Sequence, residues 1–213
     1  MAPKTLWYIA DPMCSWCWGF SPVIERARLE YDGRLKFELL LGGLRPGTKT
    51  PLPEAQREEI LGHWRAVHHR TGQPFRFEDA MPEGFVYDTE PASRAVVAVS
   101  IMDAAMVFPF FKSVQSAFYA EGQNVTVPEV LTRLAGAAGL DEQRFLRTFE
   151  SDTAKSRTLE HFQEARRRGV SGFPAVMLQD SRGYTLLARG YCSYEELRSR
   201  LDERVTSIVS DGE

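Results

Sequence analysis

The sequence predicts an α/β fold carrying a large all-helical insertion. Three observations lead to it. Residues 5–41 read as strand, helix, strand; residues 54–168 read almost wholly as helix; and past Gly169 the pattern returns to two strands and a helix. Each outer part alone would be an incomplete sheet, so the two are expected to complete one sheet together. The predicted boundaries are a discontinuous α/β domain over 1–50 and 169–213 and an inserted helical domain over 51–168. With 213 residues, 43% of them hydrophobic, the chain has enough apolar material for a real core.

Thr5 to Ala10 is a short apolar run of strand type, broken by Asp11, Pro12 and Met13. Trp18, Phe20, Val23, Ile24, Ala27 and Tyr31 then recur at helical spacing. Pro22 inside this helix is expected to kink it, and Asp32-Gly33 to end it. Leu35 to Leu41 reads as a second strand, apolar enough to be covered on both faces, and Gly42-Gly43 closes it. Pro46, Pro51 and Pro53 mark a loop. Helices are predicted over 54–70, 91–106, 109–121, 127–138, 141–150 and 153–168, with a long loop over 71–90.

Thr126 and Glu129 have the spacing of a capping box, with Pro128 in the first turn. Gly136 and Gly139 are read as the end of that helix, and Asp141 as the N-cap of the next. Phe108, Phe110, Phe111, Phe118 and Tyr119 have spacings that favour core packing between helices, with the alternative that part of the set lines a groove. Ala175–Leu178 and Tyr184–Ala188 flank a turn at Ser181-Arg182-Gly183 and read as a hairpin. Ser193 with Glu196 predicts a second capping box, opening a helix with Leu197, Leu201 and Val205 on one face.

A net charge of −3 gives no global reason to expect nucleic-acid binding. Arg166-Arg167-Arg168 reads as the basic last turn of a helix. No apolar run approaches the roughly 20 residues of a membrane span. Lys4 is followed by only a short apolar run, shorter than a secretory h-region. A cytoplasmic location is therefore expected, with no membrane and no nucleic-acid partner.

In that compartment the pair Cys14 and Cys17 is expected to be catalytic or metal-binding. Cys-x-x-Cys is half of a zinc site, but Cys192 is the one other cysteine. His63 and His68 are five apart, off the spacing of a helical metal pair, and His69 and His161 do not complete one. No metal is expected. A structural disulfide closing so short a loop would constrain little of the unfolded chain. Dithiol chemistry suits the setting best. On the first turn of a helix the two thiols reach each other, and the N-terminal amides stabilise a thiolate on Cys14, the expected nucleophile. Cys17, one turn deeper, is the expected resolving thiol. Ser15 and Trp16 between them are expected to tune the redox poise. Asp11 is read either as starting the turn or as an electrostatic influence and proton acceptor for the thiols.

Asp11, Cys14, Ser15, Trp16, Cys17, Trp18 and Gly19 resemble the Asp-x-x-Cys-Ser-Trp-Cys-Trp-Gly branch of the DsbA-like thiol oxidoreductases, a thioredoxin fold with a helical insertion. Pro22 lies where active-site helices of that fold are kinked. Gly169-Val170-Ser171-Gly172-Phe173-Pro174 resembles the family's cis-proline loop. The resemblance implies a cis bond before Pro174 and a role for Phe173 and Pro174 in binding substrate beside Cys14. It departs from the better-known periplasmic oxidases, which have Pro-His between the cysteines and an export signal.

The function implied is a thiol-disulfide oxidoreductase, similar to protein-disulfide isomerases or reductases. Its substrate would be a disulfide-containing protein or small molecule, and a thiol reductant would recycle it. No tightly bound cofactor is expected, with glutathione admitted as reductant or co-substrate. The alternative is a glutathione-dependent isomerase or transferase of the kappa-class or chromene-carboxylate isomerase type, which generally has serine where Cys14 stands. A non-catalytic binding protein using the helical groove is a further alternative. The physiological substrate, the direction of electron flow and the oligomeric state stay open.

Overall fold

The computed structural model describes residues 4–205, so the outermost residues of the expected outer domain lie outside the described residues. In chain order the elements are β1 (Thr5–Ala10), α1 (Ser15–Glu30), β2 (Lys36–Leu41), α2 (Glu54–Thr71), α3 (Glu90–Met102) and α4 (Val107–Tyr119). They continue with α5 (Pro128–Ala137), α6 (Glu142–Glu150), α7 (Asp152–Arg167), β3 (Ala175–Asp180), β4 (Gly183–Arg189) and α8 (Tyr194–Val205).

One four-stranded sheet has the order β2-β1-β3-β4. β1 runs parallel to β2 and antiparallel to β3, with Tyr8 opposite Leu39 on one side and Val176 on the other. β3 and β4 form the expected hairpin, with Asp180 paired to Gly183 across Ser181-Arg182. The sheet is thus built from strands on both sides of the helical segment. It is a mixed α/β fold, and the expected class holds.

Alternation along the strands divides the core. Leu6, Tyr8, Ala10, Val176 and Leu178 face one side, packing with Phe20, Ile24 and Ala27 of α1 and Leu197 and Leu201 of α8. Ile9, Leu40, Ala175 and Met177 face the other, against Ala165 of α7 and Val170. The first of these clusters runs without a break into Phe110, Phe111, Phe145 and Phe149 of the helical segment. β2 departs from the expectation of two covered faces. It is an edge strand, with Lys36 exposed and only Leu39 to Leu41 buried. His161 of α7 covers part of that edge, its Nδ1 accepting the Leu41 N–H at 3.2 Å.

Several local readings need correction. The helix expected over 91–106 stops at Met102, because Asp103 leaves helical geometry and its side chain accepts the Ala105 N–H, opening a short 3₁₀ turn. The Thr126 capping box does not form. The Thr126 hydroxyl and N–H both go to Asn124 Oδ1, and Val127 is the N-cap, with Pro128 first in the helix. Gly136 lies inside α5, and Gly139, at φ 84°, follows its end. Asp141 caps α6 through the Arg144 N–H, and Ser193 and Glu196 exchange both bonds of the capping box at α8.

Pro22 sits within α1 and has no N–H for the carbonyl of Trp18. That carbonyl accepts instead from Ser21 Oγ at 2.9 Å and Gln73 Nε2 at 2.9 Å, and Gln73 also donates to Ser21 Oγ at 2.7 Å. Trp18 Nε1 donates to the Pro74 carbonyl at 2.9 Å. The gap left by proline is therefore filled from the loop that follows α2, which fixes α2 beside α1. Gly19 lets them approach: a Cβ there would lie 2.7 Å from Val67 Cγ1. Replacing Gln73 by Ala should cost about 1–2 kcal/mol in urea unfolding, and an unchanged midpoint would show that water serves the Trp18 carbonyl equally well.

Candidate active site

β1 ends in a turn that delivers Cys14 to the start of α1. The Asp11 carbonyl accepts the Cys14 N–H at 3.1 Å, and Cys14 is the N-cap, with extended backbone. Its carbonyl accepts the N–H groups of Cys17 at 3.0 Å and Trp18 at 3.1 Å. The unpaired amides of the first turn thus lie next to Cys14.

Cys14 and Cys17 are both free thiols. Cys14 retains 6% exposure and Cys17 none, so Cys14 is the more accessible. Burial pushes the Cys17 thiol well above its ordinary pKa, and its hydrogen bond with Cys14 adds to the rise; the Asp11 backbone N–H works against it. Tyr8 lies beneath, its O–H directed to the Cys17 carbonyl at 3.3 Å, and burial raises the phenol well above its usual range.

Asp11 is fully buried. Its Oδ1 accepts the Met13 N–H at 2.9 Å and its Oδ2 the Leu44 N–H at 2.8 Å, with Thr89 also bonded to the carboxyl. Thr89 Oγ1 in turn accepts the Arg45 N–H at 3.0 Å, and Tyr87 O–H donates to the Met13 carbonyl at 2.6 Å. Asp11 does start the turn, but its side chain also joins the loops after β1 and β2 to the residues before α3.

The second wall comes from the far end of the chain. The Phe173–Pro174 bond is cis, and the Phe173 carbonyl accepts from Cys14 Sγ at 3.6 Å. The Pro174 carbonyl accepts the Gly190 N–H at 2.7 Å. Phe173 rests on Gly42, where a Cβ would stand only 2.0 Å from its ring. The partly exposed Trp16 lies 6.0 Å from Tyr191, ring centroid to centroid. Trp16, Arg70, Phe173, Gly190 and Tyr191 line a cleft of about 390 Å³.

Of the sequence-predicted residues, Cys14, Cys17, Asp11, Phe173 and Pro174 come together, with Trp16 on the cleft. Ser15 is half-buried at the first position of α1. Cys192 is a free, buried thiol beyond β4, with its pKa raised by burial. Tyr8, Tyr87, Thr89, Gly42, Arg70 and Tyr191 were missed. Gly42 alone carried a signal, since the Gly42-Gly43 pair was visible, but as a strand end. Among the described residues, no group of three or more His, Cys, Asp or Glu is placed to hold a metal ion. None of the described helices is long and apolar enough to cross a membrane.

The family description of a DSBA-like thioredoxin domain matches residues 6–202. The chain is 49% identical to a protein of Nitrosomonas europaea provisionally described as a protein disulfide isomerase, covering 96% of this chain and 98% of that one, with a TM-score of 0.91. It is 25% identical to the cytosolic disulfide reductase DsbM of Pseudomonas aeruginosa, covering 95% and 99%, with a TM-score of 0.78. DsbM is also known in a structure with GSH. Among curated proteins this chain is 25% identical to the ClpXP adapter protein SpxH of Halalkalibacterium halodurans, over 71% of this chain and 51% of that protein. SpxH of Bacillus subtilis matches at 25% over 71% and 50%, so the chain spans about half the length of these relatives.

Burial raises the Asp11 pKa from 3.8 to about 6, against the pull of its N–H donors from Leu44 and Met13. The fold therefore favours the protonated carboxyl. That contribution is complete only below the ordinary value of 3.8 and is lost as pH rises through about 6. Relative to Asp11→Asn, the wild type should lose about 2 kcal/mol between pH 4 and pH 7 in urea unfolding. A difference that does not change with pH would contradict the raised pKa. Gly42→Ala should cost about 1–3 kcal/mol by crowding the Phe173 ring; an unaltered unfolding midpoint would mean that the ring moves aside freely.

Proposed function

We propose that this chain, which belongs to the family of DSBA-like thioredoxin domains, is a thiol-disulfide oxidoreductase working through Cys14 and Cys17. One observation carries the reading. An N-capping thiol with residual exposure lies against a fully buried partner thiol, with its sulfur 3.6 Å from the Phe173 carbonyl.

In the reducing direction the Cys14 thiolate attacks one sulfur of a substrate disulfide. A Cys14–substrate disulfide forms and the other half leaves as a thiolate. Cys17 then loses its proton and attacks Cys14 Sγ, releasing the second thiolate and leaving a Cys14–Cys17 disulfide. Two molecules of an external thiol, for which glutathione is proposed, restore the pair: the first opens the Cys14–Cys17 disulfide as a mixed disulfide, and the second displaces the protein thiol and leaves as the disulfide of the reductant. Asp11 is the proposed proton acceptor for Cys17. A carboxyl with a pKa of about 6 is mostly ionised at pH 7 and lies beside the buried thiol. The free N–H of Phe173 and its carbonyl are the proposed pairing groups for an extended substrate segment. Ser15 and Trp16 are proposed to set the potential, since 30 mV corresponds to about 1.4 kcal/mol, within reach of one hydrogen bond.

We place the chemistry in a reducing, cytoplasmic setting, a reading supported by the similarity to a reductase described as cytosolic. The glutathione-dependent isomerase or transferase reading shares the fold, but a second thiol behind Cys14 suits dithiol exchange better.

Cys14→Ser should abolish insulin reduction and turnover of glutathione mixed disulfides. Cys17→Ser should instead accumulate a Cys14–substrate disulfide visible by mass spectrometry. Full activity in Cys14→Ser would defeat the assignment.

A further inference from the structure

The cleft beside Cys14 is chemically one-sided. Three of its five lining residues are aromatic (Trp16, Phe173 and Tyr191), one is Gly190, and the fifth is Arg70. None of them is a carboxylate. The Arg70 guanidinium lies 5.6 Å from the Tyr191 ring centroid, within the range of a cation–π contact, which occupies none of its N–H donors. Among the described residues it makes no hydrogen bond and no ion pair. Glu196 is near enough to feel its charge, but one of its carboxylate oxygens already accepts the Ser193 N–H at 2.7 Å in the α8 capping box.

The backbone that carries the exposed Arg70 side chain is fixed. It is the penultimate residue of α2. The close approach at Gly19 and the Gln73 bonds to Trp18 and Ser21 press that end of α2 onto the first turns of α1. An unpaired cation on a fixed helix end, across an aromatic cleft from the cis-proline loop, presents a fork suited to a carboxylate.

Resting on the dithiol reading above, we infer that Arg70 is a specificity-determining residue. It selects disulfides that carry a free carboxylate close to the reacting sulfur, as small cysteinyl peptides such as glutathione do. The aromatic walls receive the apolar stem and the sulfur, and the guanidinium receives the carboxylate.

The test follows oxidation of the reduced protein under single-turnover conditions by two disulfides. One is oxidised glutathione, an anion; the other is bis(2-hydroxyethyl) disulfide, which has no charge. In each case the Cys14 and Cys17 thiols become a disulfide and the probe becomes two thiols. Arg70→Ala should lower the second-order rate constant for oxidised glutathione roughly fivefold, the upper end for a solvent-exposed ion pair. It should leave the rate with the neutral disulfide unchanged. Arg70→Lys should recover part of the loss, and added salt should slow the wild type with glutathione disulfide only. Equal effects of Arg70→Ala on both disulfides, or none on either, would overturn the assignment of Arg70. Failure of both disulfides to oxidise the wild-type pair would instead defeat the dithiol reading beneath it.

Discussion

The buried carboxylate of Asp11 holds the site together. β1 and β2 are parallel neighbours, so their C-terminal ends open on the same edge of the sheet, where loops meet with few backbone partners of their own. Asp11 supplies the missing acceptors, taking N–H groups from Met13 and Leu44, with Thr89 bonded to the same carboxyl. The turn that delivers Cys14 is thereby fixed to the loop that carries Gly42, and Gly42 receives the Phe173 ring. A buried charge is costly without such bonds. Here the bonds offset part of the cost, and the remainder appears as a pKa raised to about 6. The group that fixes the geometry is thus also one that can exchange a proton near neutral pH.

The active-site helix shows a second compensation. Proline at position 22 removes a bond from the Trp18 carbonyl one turn beyond the thiols. Ser21 and Gln73 restore it. Because Gln73 belongs to the loop after α2, the repair does more than satisfy one carbonyl. It brings the C-terminal end of α2, with Arg70, to the rim of the cleft.

The helical segment therefore shares the site as well as the core. The main hydrophobic cluster passes from the sheet into α4 and α6 without interruption. Thr89 and Tyr87 reach back to the loops around Asp11 and Met13. A rigid frame of this kind suits thiol exchange, in which three sulfurs must line up in turn. Cys14 caps a helix N-terminus and keeps some exposure, whereas Cys17 lies in a dry site where the neutral thiol is favoured. This asymmetry underlies the different tasks proposed for the two thiols.

Local sequence by itself determined the strands, most of the helices and the place of the thiols. Apolar periodicity is a property of neighbouring residues, and Cys14, Cys17 and Pro22 follow one another closely. Its failures were also local: at Thr126 the neighbouring Asn124 took the hydroxyl that capping needed, and at Asp103 a side chain opened a new turn inside an apolar run. Phe173 and Pro174 were legible only through resemblance, since nothing around them points to a cysteine 159 positions away. Tyr8, Thr89, Gly42 and Arg70 had no signal for the roles they take. Each acts on a residue brought to it by sheet pairing or helix packing, and the long-range contacts that decide those neighbours leave no periodic trace along the chain. The sequence determined a dithiol at a strand-to-helix junction; only the tertiary structure decided what surrounds it, which thiol is dry and which charge faces the cleft.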